Sequence, residues 1–243
     1  SIVAMLATAS VGAIWSSCSP DFGEQGVIDR FGQIEPKVLF CVDGYFYNGK
    51  THNCLDKIKS FTARLPSLKQ VVIFDYASLS NIVINNSISY QEILENYEAI
   101  EIGFERVGFD HPLYIMYSSG TTGVPKCIVH GHGGTLVQHL KEHQLQTNIS
   151  SGDRVFYFTT CSWMMWNWLV SALGTGATIM LYDGSPTYPD NTVLWQFADE
   201  EEFSHFGTSA KYIETLMKDE VNPSAIFKLS NLKVICSTGS PLS

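Results

Sequence analysis

Short apolar runs alternate with longer amphipathic stretches along the chain, and this alternation predicts its secondary structure. Most of the runs are uniformly apolar, which is typical of β-strands covered on both faces. The stretches between them repeat apolar residues three and four positions apart, as one buried face of an α-helix requires. Strands are predicted at residues 38–42, 70–74, 113–117, 126–130, 155–159, 177–182 and 233–236. Helices are predicted at residues 2–14, 23–34, 55–64, 134–143, 163–173, 191–201 and 211–218.

Strands and helices that alternate in this way predict an α/β fold with two lobes of largely parallel β-sheet flanked by helices. Between residues 78 and 112 the chain becomes rich in Asn, Ser, Glu and Tyr, and only one short helix is predicted there, at residues 90–97. We therefore predict a first lobe at residues 1–77, a variable surface connection at 78–112 and a second lobe at 113–243.

Composition and charge limit the classes of function. The 243 residues are 45% hydrophobic and 16% charged, which favours a folded chain with a large core over a disordered one. The formal net charge of −9 argues against a general attraction to nucleic acid or to an anionic membrane. An anionic ligand must therefore be held by local donors.

The cysteines and one long uncharged stretch indicate the cellular compartment and whether the chain spans a membrane. The six cysteines are scattered and form no C-x-x-C pair, which predicts reduced thiols in the cytosol. Residues 155–182 carry no charge and outnumber the roughly 20 residues of a membrane-spanning helix, but Gly174 and Gly176 interrupt them. We predict a buried helix, a turn and a buried strand there, and no membrane span.

One segment suggests a specific chemistry, because an apolar strand runs directly into S-S-G-T-T-G-V-P-K. Glycines let the backbone approach a ligand closely and turn its N–H groups toward it. The hydroxyls add donors, and the lysine adds a positive charge. The segment therefore predicts a polyphosphate-binding loop formed by Ser118, Ser119, Gly120, Thr121, Thr122, Gly123 and Lys126.

Several alternatives compete with this interpretation. A P-loop needs four residues between its glycines, a lysine directly after the second glycine and a helix that follows. Here Val124 and Pro125 intervene, and a strand-like segment follows. A serine hydrolase with Ser118 as nucleophile is disfavoured, because no G-x-S-x-G elbow surrounds it. The remaining alternative is a polar turn that merely joins two buried strands.

The strand, the sequence Y-S-S-G-T-T-G-x-P-K and the following Val-His resemble the signature loop of the adenylate-forming enzymes. These include acyl-CoA synthetases, luciferases and peptide-synthetase adenylation domains. Further segments resemble the acetoacetyl-CoA synthetases more than the acetyl- or long-chain enzymes, at residues 19–23, 133–143, 163–168, 181–186 and 237–242. The resemblance covers nearly the whole chain and is weakest from residue 78 to 110. It implies a partial N-terminal domain of the adenylate-forming fold.

The resemblance also implies roles for individual residues. Residues 118–123 and Lys126 correspond to the loop that wraps the β- and γ-phosphates of ATP, with Lys126, Thr121 and Thr122 as the catalytic members. The motif that holds adenine corresponds to Gly239, Ser240 and Pro241. The wall of the acyl pocket corresponds to Trp163, Met164, Met165 and Trp166, with Thr238 opposite. No metal ligand is assigned within the chain.

The implied activity is that of an acetoacetate–CoA ligase that uses ATP, Mg²⁺ and CoA. The carboxylate of acetoacetate attacks the α-phosphate of ATP, and the CoA thiol then displaces AMP. A carboxylic acid with a pKa of about 4 is already ionised at pH 7, so the first step needs alignment and charge neutralisation but no general base. Another short-chain acyl-CoA ligase is the alternative within this class.

Both ends of the chain are interpreted as cuts through a larger fold, because it opens without a methionine and stops just after the Gly-Ser-Pro motif. The apolar first segment predicts a packed helix and not a signal peptide. The resemblance further calls for an acidic ribose contact, an acidic magnesium ligand and a lysine from a C-terminal domain. We expect all three to be absent, which leaves a truncated, non-catalytic nucleotide-binding product as a second hypothesis.

Individual histidine, tryptophan and serine positions give further expectations. His139 and His143 have the i, i+4 spacing of a helix face, which is interpreted as solvated, with Lys141 and Glu142, and not as a metal site. His130 follows the phosphate loop closely, and a supporting role is predicted from its position. Trp168 is expected to lie in the core. Relatives usually have glycine in place of Ser162, so its hydroxymethyl group is expected to crowd the backbone turn.

Overall fold

The structure is a computed structural model that describes residues 1–79, 83–118 and 123–241. Cα packing divides the chain into two compact units. Unit 1 comprises residues 1–46 and 50–134, and unit 2 comprises residues 47–49 and 135–243. Each unit has its own sheet system and its own core.

Unit 1 is built from short helices and strands that follow one another closely. They are α1 (Ile2–Ser10), β1 (Trp15–Ser16), α2 (Glu24–Phe31), β2 (Val38–Val42), β3 (Gly44–Tyr47), β4 (Lys50–Asn53), α3 (Leu55–Thr62), β5 (Gln70–Phe74), β6 (Ser87–Ser89), α4 (Tyr90–Asn96), β7 (Pro112–Tyr117) and β8 (Cys127–Gly131).

Two three-stranded sheets organise unit 1. The first has the order β2-β5-β6 and is entirely parallel, with Val38 opposite Gln70. The second has the order β1-β7-β8, in which β1 and β7 are parallel and β7 and β8 are antiparallel. Helices α2 and α3 cover the first sheet, because their apolar faces point inward. The buried side chains of this core include Val27, Phe31, Leu39, Leu55, Ile58, Phe61 and Val71.

Unit 2 begins with α5 (His132–Lys141), whose first residues lie at the unit boundary, and with the π-helical turn Glu142–Gln146. The chain continues through β9 (Arg154–Tyr157), α6 (Met164–Ser171), the 3₁₀ turn Ala172–Thr175, β10 (Thr178–Met180), α7 (Val193–Glu200), β11 (His205–Ser209), α8 (Ala210–Lys218), α9 (Pro223–Ile226) and β12 (Val234–Thr238).

The sheet of unit 2 has the order β10-β9-β11-β12, and every neighbouring pair is parallel. Its two faces carry different cores, because side chains alternate along each strand. On β9, Phe156 packs with α7 and α8, whereas Val155 and Tyr157 pack with α6. Both faces are therefore covered, as uniformly apolar strands require. The predicted α/β class with largely parallel sheets flanked by helices is confirmed.

The long uncharged stretch folds as predicted into a buried helix, a turn and a strand. These are α6, the 3₁₀ turn and β10, and Gly176 adopts φ of 80°, which favours glycine at the end of the turn. Among the described residues, no helix has both the length and the apolar character needed to cross a membrane.

The compact units divide the chain after residue 134, whereas the predicted second lobe begins at residue 113. The difference arises because β7 pairs with the very short β1, so that Tyr114 lies opposite Trp15 within unit 1. The predicted lobes are drawn from sequence pattern alone, and as a domain division they stay a prediction.

Asp153 is a buried carboxylate that joins the start of β9 to the start of β12. One oxygen accepts hydrogen bonds from the Ser150 amide and hydroxyl at 2.9 and 3.0 Å, and the other accepts from the Lys233 ammonium at 2.8 Å. Burial alone would raise the pKa of Asp153, but Lys233 and the hydrogen bonds from Ser150 and Ser204 hold it well below its usual range.

We expect Asp153→Asn to lower the free energy of unfolding at pH 7 by about 3 kcal/mol, because a charged acceptor is lost and Lys233 loses its partner. A depressed carboxyl pKa contributes stability that is complete above the unfolded-state pKa of about 4 and is lost as the pH falls further. The deficit measured by urea unfolding should therefore be largest at pH 7 and shrink below about pH 4. Asp75→Asn, at an exposed position, is the matched control, and an equal loss in both variants would contradict the prediction.

Candidate functional site

The predicted phosphate loop is the connection of a β-hairpin in unit 1. Strands β7 and β8 pair up to Tyr117 and Cys127. Beyond them the Ser118 amide donates to the Lys126 carbonyl at 3.0 Å, and the Lys126 amide donates to the Ser118 hydroxyl at 3.3 Å. A strand follows the loop and not a helix, which agrees with the exclusion of a P-loop. The candidates Ser119, Gly120, Thr121 and Thr122 lie outside the described residues.

The described end of the loop has features that suit an anion. Gly123 has φ of 100°, a conformation that side chains disfavour, and a Cβ there would meet nothing within 4 Å. Lys126 is exposed, and its ammonium pairs with no carboxylate in the described part of the chain. Backbone in a conformation that favours glycine, next to an exposed cation, can accommodate a phosphate group.

Side chains from the first elements of unit 1 support the base of this loop. The Gln33 amide donates to the Pro125 carbonyl at 2.8 Å. The Arg30 guanidinium lies 5.8 Å from the ring centre of Tyr117, and the Tyr117 and Ser16 hydroxyls are 2.9 Å apart. Burial raises the pKa of Tyr117, so its hydroxyl stays protonated. Sequence reasoning missed these contacts, because nothing in the sequence pairs residues so far apart.

His130 lies on β8 opposite Tyr114, and the two ring centres are 5.0 Å apart. Burial lowers the pKa of His130, so the neutral form is favoured at pH 7. The register places it three residues beyond Cys127, on the strand itself. Its supporting role stays a prediction.

The aromatic segment assigned to the acyl pocket lies at the start of α6 in unit 2. Trp163 precedes the helix and is 57% exposed, whereas Trp166 and Trp168 are each 7% exposed. Met164 and Met165 are half-buried, and Met165 packs against the core cluster that contains Trp168. Trp168 is a core residue, as expected, and Trp163 has the exposure that a ligand contact needs.

Ser162 fits the turn before α6. Its hydroxyl lies 2.9 Å from the Thr160 hydroxyl, and the Trp163 amide donates to the Thr160 carbonyl at 3.1 Å. The φ of Ser162 is negative, so this turn does not require glycine. The expected crowding of the backbone is therefore not seen.

The adenine segment and Thr238 lie at the end of β12. Gly239 adopts φ of 98°, and Gly239, Ser240 and Pro241 are exposed. Cys236 packs against the α6 side of the sheet, so Thr238, two residues further on, belongs to the same face.

Within unit 2, the structure brings the acyl and adenine segments to one edge of the sheet. Residues 158–163 follow the carboxyl end of β9, and residues 239–241 follow the carboxyl end of β12. Parallel strands bring these ends to the same edge, which is where open α/β sheets bind ligands. The phosphate loop belongs to unit 1. The roles of all these residues stay predictions.

The interpretation of His139 and His143 as a solvated helix face is wrong. His139 is 5% exposed and His143 is fully buried. Both rings point at α6, where Ser171 supplies a hydroxyl within hydrogen-bonding distance of each. Helical spacing shows that two residues share a face, but it does not show whether that face meets water or a polar group of another helix.

Comparisons with known proteins show the family to which the chain belongs. The family model described as AMP-binding enzyme matches residues 1–243. The acetoacetyl-coenzyme A synthetase of Rhizobium meliloti (strain 1021) is 54% identical over 244 residues, which cover 100% of this chain and 37% of that protein. The acetoacetyl-CoA synthetase of Gallus gallus is 51% identical over 248 residues, which cover 99% of this chain and 37% of that protein.

A solved structure, the acetoacetyl-CoA synthetase from Streptomyces lividans, matches with a TM-score of 0.93 at 46% identity. The match covers 99% of this chain and 37% of that one. The chain therefore spans 37% of the length of these relatives. The predicted resemblance and the predicted partial fold are confirmed, and the chain belongs to the AMP-binding enzyme family.

Proposed function

We propose that this chain serves in an ATP-dependent ligase that joins acetoacetate to CoA. The observation that carries the proposal is the hairpin closed by Ser118 and Lys126, which offers a glycine with positive φ and an exposed ammonium that pairs with no carboxylate of the described residues. The likeness of nearly the whole chain to proteins named acetoacetyl-CoA synthetase supports the choice of acid.

ATP fits the described residues of the loop. Lys126 would neutralise part of the charge on its phosphates, and the Gly123 backbone leaves room for a close approach. Ser118 would keep the hairpin closed, because its hydroxyl and amide already bond to Lys126. Thr121 and Thr122 are proposed to add hydroxyl donors. Gly239, Ser240 and Pro241 are proposed to hold the adenine.

The described residues do not form a binding site of their own for Mg²⁺. In the part of the chain that the structure describes, no three or more His, Cys, Asp or Glu side chains gather into a group that could hold a metal ion. We propose that Mg²⁺ arrives as a complex with ATP, held mainly by the phosphates and water.

The proposed reaction has two steps. A carboxylate oxygen of acetoacetate attacks the α-phosphorus of ATP, and pyrophosphate leaves. The CoA sulfur then attacks the carbonyl carbon of the acyl-adenylate, and AMP leaves. Trp163, Met164, Met165, Trp166 and Thr238 are proposed to enclose the short acyl chain, and Trp163 has the largest exposed fraction of the four aromatic and methionine residues.

The test is exchange of labelled pyrophosphate into ATP, measured in the longest natural form of the protein that contains this sequence. The panel comprises acetoacetate, acetate, butyrate and 3-hydroxybutyrate. We expect acetoacetate to support the fastest exchange. A clear preference for acetate or butyrate would replace the acetoacetate assignment with another short-chain acyl-CoA ligase, and exchange with none of the acids would remove the ligase proposal.

A non-catalytic nucleotide-binding role is the second candidate, because the positive φ of Gly123 and the exposed Lys126 suit a phosphate group whether or not a reaction follows. Calorimetric titration of the 243-residue chain with Mg-ATP separates the two cases, since binding without exchange supports this role. We also propose a cytosolic location, supported by the six cysteines, none of which forms a disulfide bond.

A further inference from the structure

Two histidines and a serine meet between α5 and α6 in unit 2. His139 lies on α5, His143 lies on the π-helical turn after it, and Ser171 is the last residue of α6. The Nδ1 atom of His139 and the Nε2 atom of His143 each lie 2.9 Å from the Ser171 hydroxyl oxygen. We call these three residues the histidine clamp.

The hydrogen bonds determine which atoms carry protons. Ser171 has one hydroxyl hydrogen, and it is donated to the Trp168 carbonyl at 2.7 Å. The Ser171 oxygen must therefore accept from both rings, so His139 carries its proton on Nδ1 and His143 on Nε2. The Nδ1 atom of His143 is then an unprotonated nitrogen, buried and without a hydrogen-bond partner among the described residues.

The surroundings of His143 favour the neutral ring. A cation there would be fully buried and would lie beside His139, whose ring centre is 6.3 Å away, and near His205 of β11. A hydrogen bond with the Trp168 backbone and the carboxylate of Glu142 act in the opposite direction and favour the cation. The Glu142 carboxylate already accepts from Trp168 Nε1 at 3.1 Å and from Gln138 Nε2 at 2.6 Å, with the Lys141 ammonium at 3.9 Å. Burial, followed by His139, lowers the pKa of His143 to about 4.

The π-helical turn makes the clamp possible. It widens the helix at Glu142–Gln146, where the Thr147 amide donates to the Glu142 carbonyl at 3.0 Å. The His143 ring then packs on Trp168 of α6 with ring centres 4.3 Å apart. A local π turn costs regular hydrogen bonding and often marks a position with a specific role.

We propose that Ser171 is a positioning residue which, held by two neutral histidines, fixes α6 and thereby the aromatic wall at residues 163–166, and that protonation of His143 releases it. The histidine clamp binds the carboxyl end of α6, which is eight residues long, and the aromatic wall lies at the amino end of the same helix. The effect on the acyl site rests on the proposed ligase function, whereas the clamp itself does not.

The first experiment needs no substrate and uses the 243-residue chain. The ring protons of its histidines and the indole N–H of Trp168 are followed by NMR from pH 7.5 to pH 4. We expect His143 to stay neutral down to about pH 5 and the Trp168 signal to change at the pH where His143 titrates. Titration of His143 at about 6.5, with the Trp168 signal unchanged, would overturn the proposal.

The lowered pKa of His143 also predicts how the free energy of unfolding changes with pH. A histidine with a depressed pKa takes up its proton more readily in the unfolded chain, so stability is complete above about pH 6.5 and falls as the pH drops toward 4. Wild type should lose more free energy of unfolding between pH 7 and pH 5 than His143→Gln, which carries no titrating ring. Equal losses would count against the clamp.

The second experiment uses the longest natural form of the protein. We expect Ser171→Ala to raise KM for acetoacetate about tenfold and to leave KM for ATP within about twofold, because a misplaced wall weakens only acyl binding. Ser171→Thr, which keeps a hydroxyl, should restore most of the loss. Equal changes in both KM values, or none, would remove the positioning role. If no acid is turned over, the proposed function fails while the NMR titration still decides the clamp.

Discussion

Lys126→Ala is expected to slow ATP–pyrophosphate exchange by about 100- to 1000-fold, the loss typical of removing one positioned charge or donor from a transition state. Lys126 is the cation at the base of the hairpin loop, and no carboxylate in the described residues competes for it. The hairpin itself should survive, because its closing bonds at Lys126 involve backbone atoms and the Ser118 hydroxyl. Exchange is measured at saturating acetoacetate in the longest natural form of the protein.

The matched control is Lys69→Ala, which removes an exposed lysine of unit 1 that directly precedes β5 and whose amide bonds to the Lys37 carbonyl. Its exchange rate should equal that of wild type, and both variants should unfold at the same urea concentration. An exchange rate within about threefold of wild type for Lys126→Ala would show that the loop cation is dispensable, and would leave the phosphate-binding role without support.

Strands with strong apolar character were predicted with accurate bounds. Strands β2 and β5 begin and end at the predicted residues, because β2 is a continuous apolar run and β5 is one after its first residue, Gln70. Helix α4 was also recovered, and the structure shows a capping box in which Ser89 and Glu92 satisfy each other's backbone amides. In β2, β5 and α4 the local sequence and the tertiary packing favour the same secondary structure.

Strand β11 was missed although it lies at the centre of the unit 2 sheet. Its sequence, H-F-G-T-S, has one large apolar residue, yet four of the five residues are buried. The buried ring of His205 has partners at both nitrogens, since one lies 2.8 Å from the Ser204 hydroxyl and the other 2.9 Å from the Thr147 carbonyl, which is distant in the chain. A pattern of polarity cannot find a strand that buries a polar ring whose partners lie elsewhere in the protein.

The same physical limit applies to the candidate site. The phosphate loop could be predicted, because glycines, hydroxyls and a lysine stand together in the sequence, and its role stays a prediction. The Gln33 contact with Pro125 and the histidine clamp were not found, because each joins elements that are distant in the chain. The local composition of the sequence can therefore predict where a loop lies. The long-range contacts that support the loop depend on the tertiary fold and cannot be read from local composition.

Gly207→Ala is expected to lower the free energy of unfolding of unit 2 by about 3 kcal/mol, the upper part of the usual range for overpacking a core. Gly207 is a buried residue of β11 opposite Tyr157 of β9, and a Cβ at Gly207 would overlap the Tyr157 ring. That ring cannot easily move aside, because it is 5% exposed, packs on Trp168 and lies within hydrogen-bonding distance of the Thr208 carbonyl at 3.3 Å. Urea unfolding followed by tryptophan fluorescence reports mainly on unit 2, which holds Trp163, Trp166, Trp168 and Trp195.

A double-mutant cycle isolates the cause of this loss. In a Tyr157→Ala background the added methyl of Gly207→Ala meets no ring, so its cost should fall below about 1 kcal/mol. Gly134→Ala is the control for the substitution itself, since a Cβ at Gly134 meets nothing within 4 Å. That change should be neutral or stabilising by up to about 1 kcal/mol, because alanine favours the helix. A cost for Gly207→Ala that persists in the Tyr157→Ala background would place the strain in the backbone of β11, and the ring of Tyr157 would no longer explain why glycine occupies the central strand.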